Sequence, residues 1–130
     1  MRSVRLVLAA AVLATAGCGG SPGVKTYIVS GTVNFAGKPV PAGHIVFDPD
    51  ASKGTAGTQG VANIINGRYS TAASGKGVRA GSYHIRIMGF DGKGGDDLPM
   101  GKALFPEYEA KKDLPDHDSE LNFDIPPLKR

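Results

Sequence analysis

The stretch VANIINGRYSTA, residues 61–72, is two short runs of strand-forming residues split by Asn66-Gly67. Both residues of that pair tolerate the positive φ that a type I′ turn demands, so VANII and RYSTA are joined as a tight hairpin. Outward from the hairpin the same period of two recurs. TYIVSGTVNF (26–35) sets Tyr27, Val29, Val33 and Phe35 on one face, with Ile28, Ser30, Thr32 and Asn34 on the other. HIVFD (44–48) directs Ile45 and Phe47 inward. SYHIRIMGF (82–90) gives Tyr83, Ile85 and Ile87 to the core and His84, Arg86 and Met88 to the opposite face, and ELNFDI (120–125) repeats the pattern with Leu121, Phe123 and Ile125. Nineteen glycines and nine prolines leave no window with a sustained helical period. These five or six short strands predict an all-β protein, a single β-sandwich.

The amino terminus has a different character. Arg2 and Arg5 precede an apolar run from Leu6 to Ala16, and the small residues Ala16 and Gly17 stand directly before Cys18, the chain's single cysteine. A basic end, a short hydrophobic region and a small-residue cleavage site make a secretory signal, and the run is too short to span a hydrocarbon core, which needs about 20 residues. After ordinary cleavage Cys18 would be an odd free thiol in an oxidising compartment. A thioether-linked lipid removes that liability. The expected organisation is a signal peptide at 1–17, a lipid-anchored flexible tether at 18–25 (CGGSPGVK) and one β-sandwich domain at 26–130.

Removal of the signal changes the charge. The whole chain has 15 basic and 12 acidic residues, and loss of Arg2 and Arg5 leaves 13 against 12, or +1. No cluster of lysine or arginine interleaved with aromatics marks a nucleic-acid surface, so that partner class is excluded.

Two resemblances follow from quoted residues. Residues 15–18, Thr-Ala-Gly-Cys, resemble the bacterial lipoprotein signal, whose pattern is an aliphatic residue, two small residues and the cysteine that becomes acylated; Thr15 stands where leucine is usual. That implies a membrane partner through lipid on Cys18. Several acyl chains hold a protein firmly, because each buried methylene adds about 0.8 kcal/mol and one chain alone binds only marginally. Gly19 in place of aspartate implies the outer membrane of the envelope over the inner. The second resemblance lies in VSGTVNFAGKPVPAGHIVFDPD (29–50), GVRAGSYHIRI (77–87) and LFPEYEAKKDLPDHDSELNFDIP (104–126), which are similar to successive parts of small planctomycete-type lipoproteins with a transthyretin-like or carboxypeptidase-regulatory-like domain. It implies a single prealbumin/Ig-like β-sandwich, a non-catalytic module in adhesion, assembly or saccharide contact, with an envelope protein or glycan as partner. Gly37 fits the turn that returns the first strand, Pro39 and Pro41 stiffen the crossing, and Gly81 starts the strand of Tyr83. Family members continue past the equivalent of FDIP, so one strand fewer, or an exposed last edge, is expected here. The related purine-ring hydrolases end in Tyr-Arg-Gly-Ser, a motif not matched by PPLKR (126–130).

The remaining chemistry is sparse. His44, His84 and His117 form no short-range pair of zinc ligands, and no nucleophile-elbow motif is present. No cofactor and no catalysis are expected, with an envelope hydrolase or enzyme accessory subunit as the alternative. Oxygen ligands are the better metal candidates: Asp48, Asp50 and Ser52 alternate in DPDASKG, and Asp116, Asp118 and Glu120 follow in DHDSE. A hand-type calcium loop needs glycine at its sixth position and glutamate at its twelfth, where Lys53 and Gln59 stand. The alternatives are a calcium-stabilised adhesion domain and a polar turn whose side chains satisfy local amides. The segment from Gly89 to Tyr108 has few strand formers, so it is expected to be a long loop with 91–101 mobile. Its apolar residues Phe90, Met100, Phe105 and Tyr108 are the ligand-binding candidates, against the alternative that Leu104, Phe105 and Tyr108 pack back on the sandwich.

Overall fold

The computed structural model describes residues 25–74 and 77–128. Cys18, the signal segment 1–17 and nearly all of the tether lie outside the described residues.

The chain is nearly all β. Nine strands run β1 (Val29–Phe35), β2 (Lys38–Pro39), β3 (Ala42–Pro49), β4 (Gly60–Ile65), β5 (Arg68–Ser70), β6 (Gly81–Phe90), β7 (Tyr108–Leu114), β8 (Ser119–Glu120) and β9 (Phe123–Ile125), with short 3₁₀ turns at Ala51–Lys53 and Thr71–Ser74. They form one curled, sandwich-like sheet in the order β2-β1-β5-β4-β3-β6-β7, with β8 and β9 added in parallel to β1. The hairpin that opened the sequence reading is β4-β5, and Asn66 (φ 50°) and Gly67 (φ 77°) are both left-handed as a type I′ turn requires. Ala36 (φ 50°) and Gly37 (φ 79°) make the return from β1 to β2 in the same way.

Period-two alternation places the core. Val29 and Val33 of β1, Ile45 and Phe47 of β3, Tyr83, Ile85 and Ile87 of β6, and Phe123 and Ile125 of β9 are buried together. Phe47 is the aromatic hub, with ring centroids 6.2 Å from Tyr69 and 6.5 Å from Tyr83. Gly81 (φ +137°) opens β6, and a β-carbon there would lie 2.7 Å from Thr55 Oγ1, so glycine is required where the strand leaves the turn.

Three features depart from the sequence reading. The described residues form nine strands, not five or six. The expected loop from Gly89 to Tyr108 is shorter at both ends: Gly89 and Phe90 finish β6, and Tyr108 begins β7, a charged edge strand. Its neck is fastened by main-chain bonds, Asp91 N to Lys102 O (3.0 Å), Gly92 N to Met100 O (3.0 Å) and Leu104 N to Gly89 O (2.9 Å).

The two ends of the sandwich are chemically distinct. The near end gathers Lys25, Tyr27, the turn after β3, the start of β6 and the 115–118 loop, since Tyr27 bridges Val78 and Ser119 N donates to Ile28 O. The far end carries both type I′-like turns, the 91–107 loop and the residues after β9.

Candidate functional site

Alternation along β6 separates the four expected ligand contacts. Phe90 lies on the outer face with His84, Arg86 and Met88, its ring 6.4 Å from that of His44 and nearly perpendicular to it. Phe105 lies on the inner face: it is 5% exposed, its ring centroid is 5.0 Å from that of Phe35, and its edge covers the α-carbon of Gly89. Tyr108 pairs with Ile87 in the β6-β7 ladder and packs partly buried against the core, while Met100 sits in the loop, its carbonyl held by Gly92. Opposite faces of one sheet cannot form one pocket, so Phe105 and Tyr108 are packing residues, and the expected constellation of four does not assemble.

The acidic stretch resolves into local structure. Asp50 caps the 3₁₀ turn, accepting from Ser52 N (3.1 Å) and from Ser52 Oγ, and its second oxygen lies 3.3 Å from His84 Nε2. The hydrogen bond from the Ser52 hydroxyl holds the Asp50 carboxyl below its ordinary range. Asp48 points to the outer face, where Arg86 Nε donates at 2.7 Å and the Gln59 amide donates to its other oxygen. Its partial burial opposes ionisation, but the bonds from Gln59 and Arg86 outweigh that and lower its pKa. Asp48 thus faces Gln59 and Arg86, while Asp50 and Ser52 bond each other. Among the described residues no group of three His, Cys, Asp or Glu is arranged to hold a metal ion. His44 Nδ1 meets Asn63 Oδ1 at 3.1 Å, and His117 is exposed 3.8 Å from Asp116.

The surface that alternation alone leaves conspicuous is the outer face of β4-β3-β6-β7. The ladders align Ile65, Ala42 and Phe90 in one row, Asn63, His44 and Met88 in the next, and Val61, Val46, Arg86 and Glu109 in a third. Ile65 is 65% and Val61 41% exposed. An antiparallel sheet with a solvated face ordinarily turns polar side chains outward; here the row Ile65, Ala42 and Phe90 is wholly apolar, and Val61 and Val46 add an apolar half to the third row. The sequence carries the signal, because a strand with Ala62 and Ile64 inside must carry Val61 and Ile65 outside. A separate groove of about 490 Å³ lies at the far end, between Phe35, Pro39, Pro41, Asp91 and Leu104.

Comparisons with protein-family models, curated proteins and solved structures return no match. Among the described residues no helix is long and apolar enough to cross a membrane.

Proposed function

We propose that this chain is a lipid-anchored module of the cell envelope, related to the transthyretin-like lipoproteins, with a non-catalytic binding or structural role. In this reading Cys18 is acylated and becomes the first residue of the mature protein, residues 19–25 tether the domain, and the outer face of β4-β3-β6-β7 meets a protein or glycan of the envelope. The observation that carries the binding face is the apolar row Ile65, Ala42 and Phe90, with Val61 also exposed on the same face of β4, since exposed large apolar groups on a solvated sheet face are a mark of contact surfaces. A structural use of the polar groups agrees with it: Asp50 caps a turn, Asp48, Arg86 and Gln59 bond one another, and Ser82 donates to Asp113.

The test has two readouts on the full-length chain in its host. Intact-mass analysis should find an acylated cysteine at the mature amino terminus, and Cys18→Ser should leave unprocessed or released protein. A photo-crosslinking residue at position 65 should capture discrete envelope partners that one at Lys102 does not, and Val61→Lys should abolish the capture. An unmodified Cys18 thiol overturns the anchor; equal capture from both positions overturns the binding face.

A further inference from the structure

At the near end a pocket of about 440 Å³ opens beside the first described residues. Three cations line it, Lys25, Lys53 and Arg79, and no carboxylate does. None of the three is in salt-bridge contact with an acidic side chain among the described residues. Of the acids near by, Asp113 accepts from Ser82 Oγ, and Asp50 caps its own turn toward His84 while attracting Lys53 from outside this pocket's wall. Gly57 (φ +132°) leaves room for the Arg79 side chain to lie along the main chain, its Nε 3.3 Å from where a β-carbon would be. Thr55, also in the wall, accepts from Ser82 N at 2.9 Å, which leaves its hydroxyl proton to be donated. Three cations in one wall with a hydroxyl donor and no carboxylate in the lining are the chemistry of an oxyanion site.

We propose that this pocket binds a phosphate group and that, in the anchored protein, the phosphate belongs to the headgroup of an anionic phospholipid. The second half rests on acylation of Cys18. Lys25 follows Cys18 by seven positions, a span of at most about 25 Å when extended and about 15 Å on average for a flexible chain. The near end is therefore the end held at the bilayer, and its cations come within reach of a surface potential that decays over about 8 Å at physiological ionic strength. Docking there fixes the domain upright, with the far-end loop directed away from the membrane.

The experiment uses the full-length processed chain reconstituted into vesicles of phosphatidylcholine, with or without phosphatidylglycerol, and reads lysine acetylation by mass spectrometry. Phosphatidylglycerol should slow labelling of Lys25 and Lys53, and high salt should reverse it. Lys38, Lys93 and Lys102 at the far end should be unaffected. Arg79→Gln and the separately made Lys53→Gln should each weaken protection of Lys25 about fivefold, the share of one cation near a charged surface. In phosphatidylcholine vesicles, soluble glycerol phosphate should compete for the same lysines. Protection by glycerol phosphate alone retains the phosphate site and overturns the headgroup as its source. Uniform protection of all lysines, or protection by neither anion, overturns the pocket. The anchor is read independently: if intact mass shows Cys18 unmodified, the vesicle arm loses its basis, while the glycerol phosphate arm still decides the pocket.

Discussion

The ring of Phe105 lies against the α-carbon of Gly89, so close that a β-carbon at position 89 would come within 2.6 Å of its edge. A residue from the long loop is thereby locked onto the inner face of β6, and the loop's apolar content becomes core. Phe105→Ala should destabilise the domain by about 3–5 kcal/mol in a denaturant melt, the range for removing a buried aromatic ring. Gly89→Ala should cost about 1–3 kcal/mol through overpacking. If Phe105→Ala left stability unchanged, the ring would be a surface group after all.

The two faces of β6 should respond unequally. Ile85 and Val33 are fully buried, and replacing either by alanine should cost about 2–4 kcal/mol. Arg86 bonds Asp48 on the outer face, but the pair is about one-third exposed and surface ion pairs contribute little. Arg86→Ala should therefore be the mildest of the three; a larger loss than that of Ile85→Ala would mean that the facing is inverted.

Acid and alkali should each weaken the fold. The carboxyls of Asp48 and Asp50 have folded pKa values below the ordinary 3.8, so the unfolded chain takes up protons first as pH falls. Their stabilisation is complete above the unfolded value and disappears as pH drops through the folded one. Ser52→Ala should lower the melting temperature at neutral pH, and the gap from wild type should close on acidification. At the other extreme, burial raises the phenols of Tyr69 and Tyr83 above 10.0. The unfolded chain then loses protons first, and stability should fall above pH 10. A melting temperature flat from pH 3 to pH 11 would contradict both arguments.

Between β8 and β9 the chain bulges over Gly31, where a β-carbon would lie 2.1 Å from the carbonyl oxygen of Leu121. That carbonyl accepts from the Tyr69 hydroxyl, and Asn122 Oδ1 accepts from both Thr32 N (2.9 Å) and Thr32 Oγ1 (3.1 Å). Gly31→Ala should push the bulge off β1 and destabilise by more than the roughly 1 kcal/mol expected of an ordinary lost hydrogen bond. Hydrogen exchange localises the effect: the amides of Leu121 and Ala36, which donate to Ser30 O and Ile125 O, should lose protection while those of β3 and β6 keep theirs.

What was legible in the sequence was what local alternation encodes. Alternation directs Val29, Ile45, Phe47, Tyr83, Ile85 and Phe123 inward, where they are buried, and Asn66-Gly67 makes its turn. The edge strand β7 was not legible, because YEAKKDL offers only Tyr108, Ala110 and Leu114 to the core and spends its other positions on charge. Lysines on an edge discourage pairing with other chains, and in doing so they erase the pattern of a strand. The parallel addition of β8 and β9 to β1 is equally hidden, since partners some 90 residues apart leave no local trace. The four binding candidates divide for the same reason: whether Phe105 and Phe90 share a surface depends on which face of β6 each meets, and that is settled only by tertiary pairing.

The long loop closes on one side chain. Asp91 Oδ1 accepts from Lys93 N at 2.8 Å and from Lys102 N at 3.2 Å, joining both sides of the neck, and a β-carbon on Gly101 (φ +90°) would collide with that oxygen. The neck is fastened while the tip, from Lys93 to Leu98, is exposed on all its residues. Brief proteolysis should first nick the tip, after Lys93, sooner than any site in 26–88, because few buried groups hold it. Asp91→Ala removes both side-chain bonds and should extend early cleavage to Lys102 without lowering the global melting temperature by more than about 1–2 kcal/mol of equivalent stability. Asp91→Asn keeps one acceptor oxygen at the same place and should restore most of the protection. First cleavage within β3 or β6 in the wild-type chain, or an Asn variant as labile as the Ala variant, would show that something other than this carboxylate oxygen closes the loop.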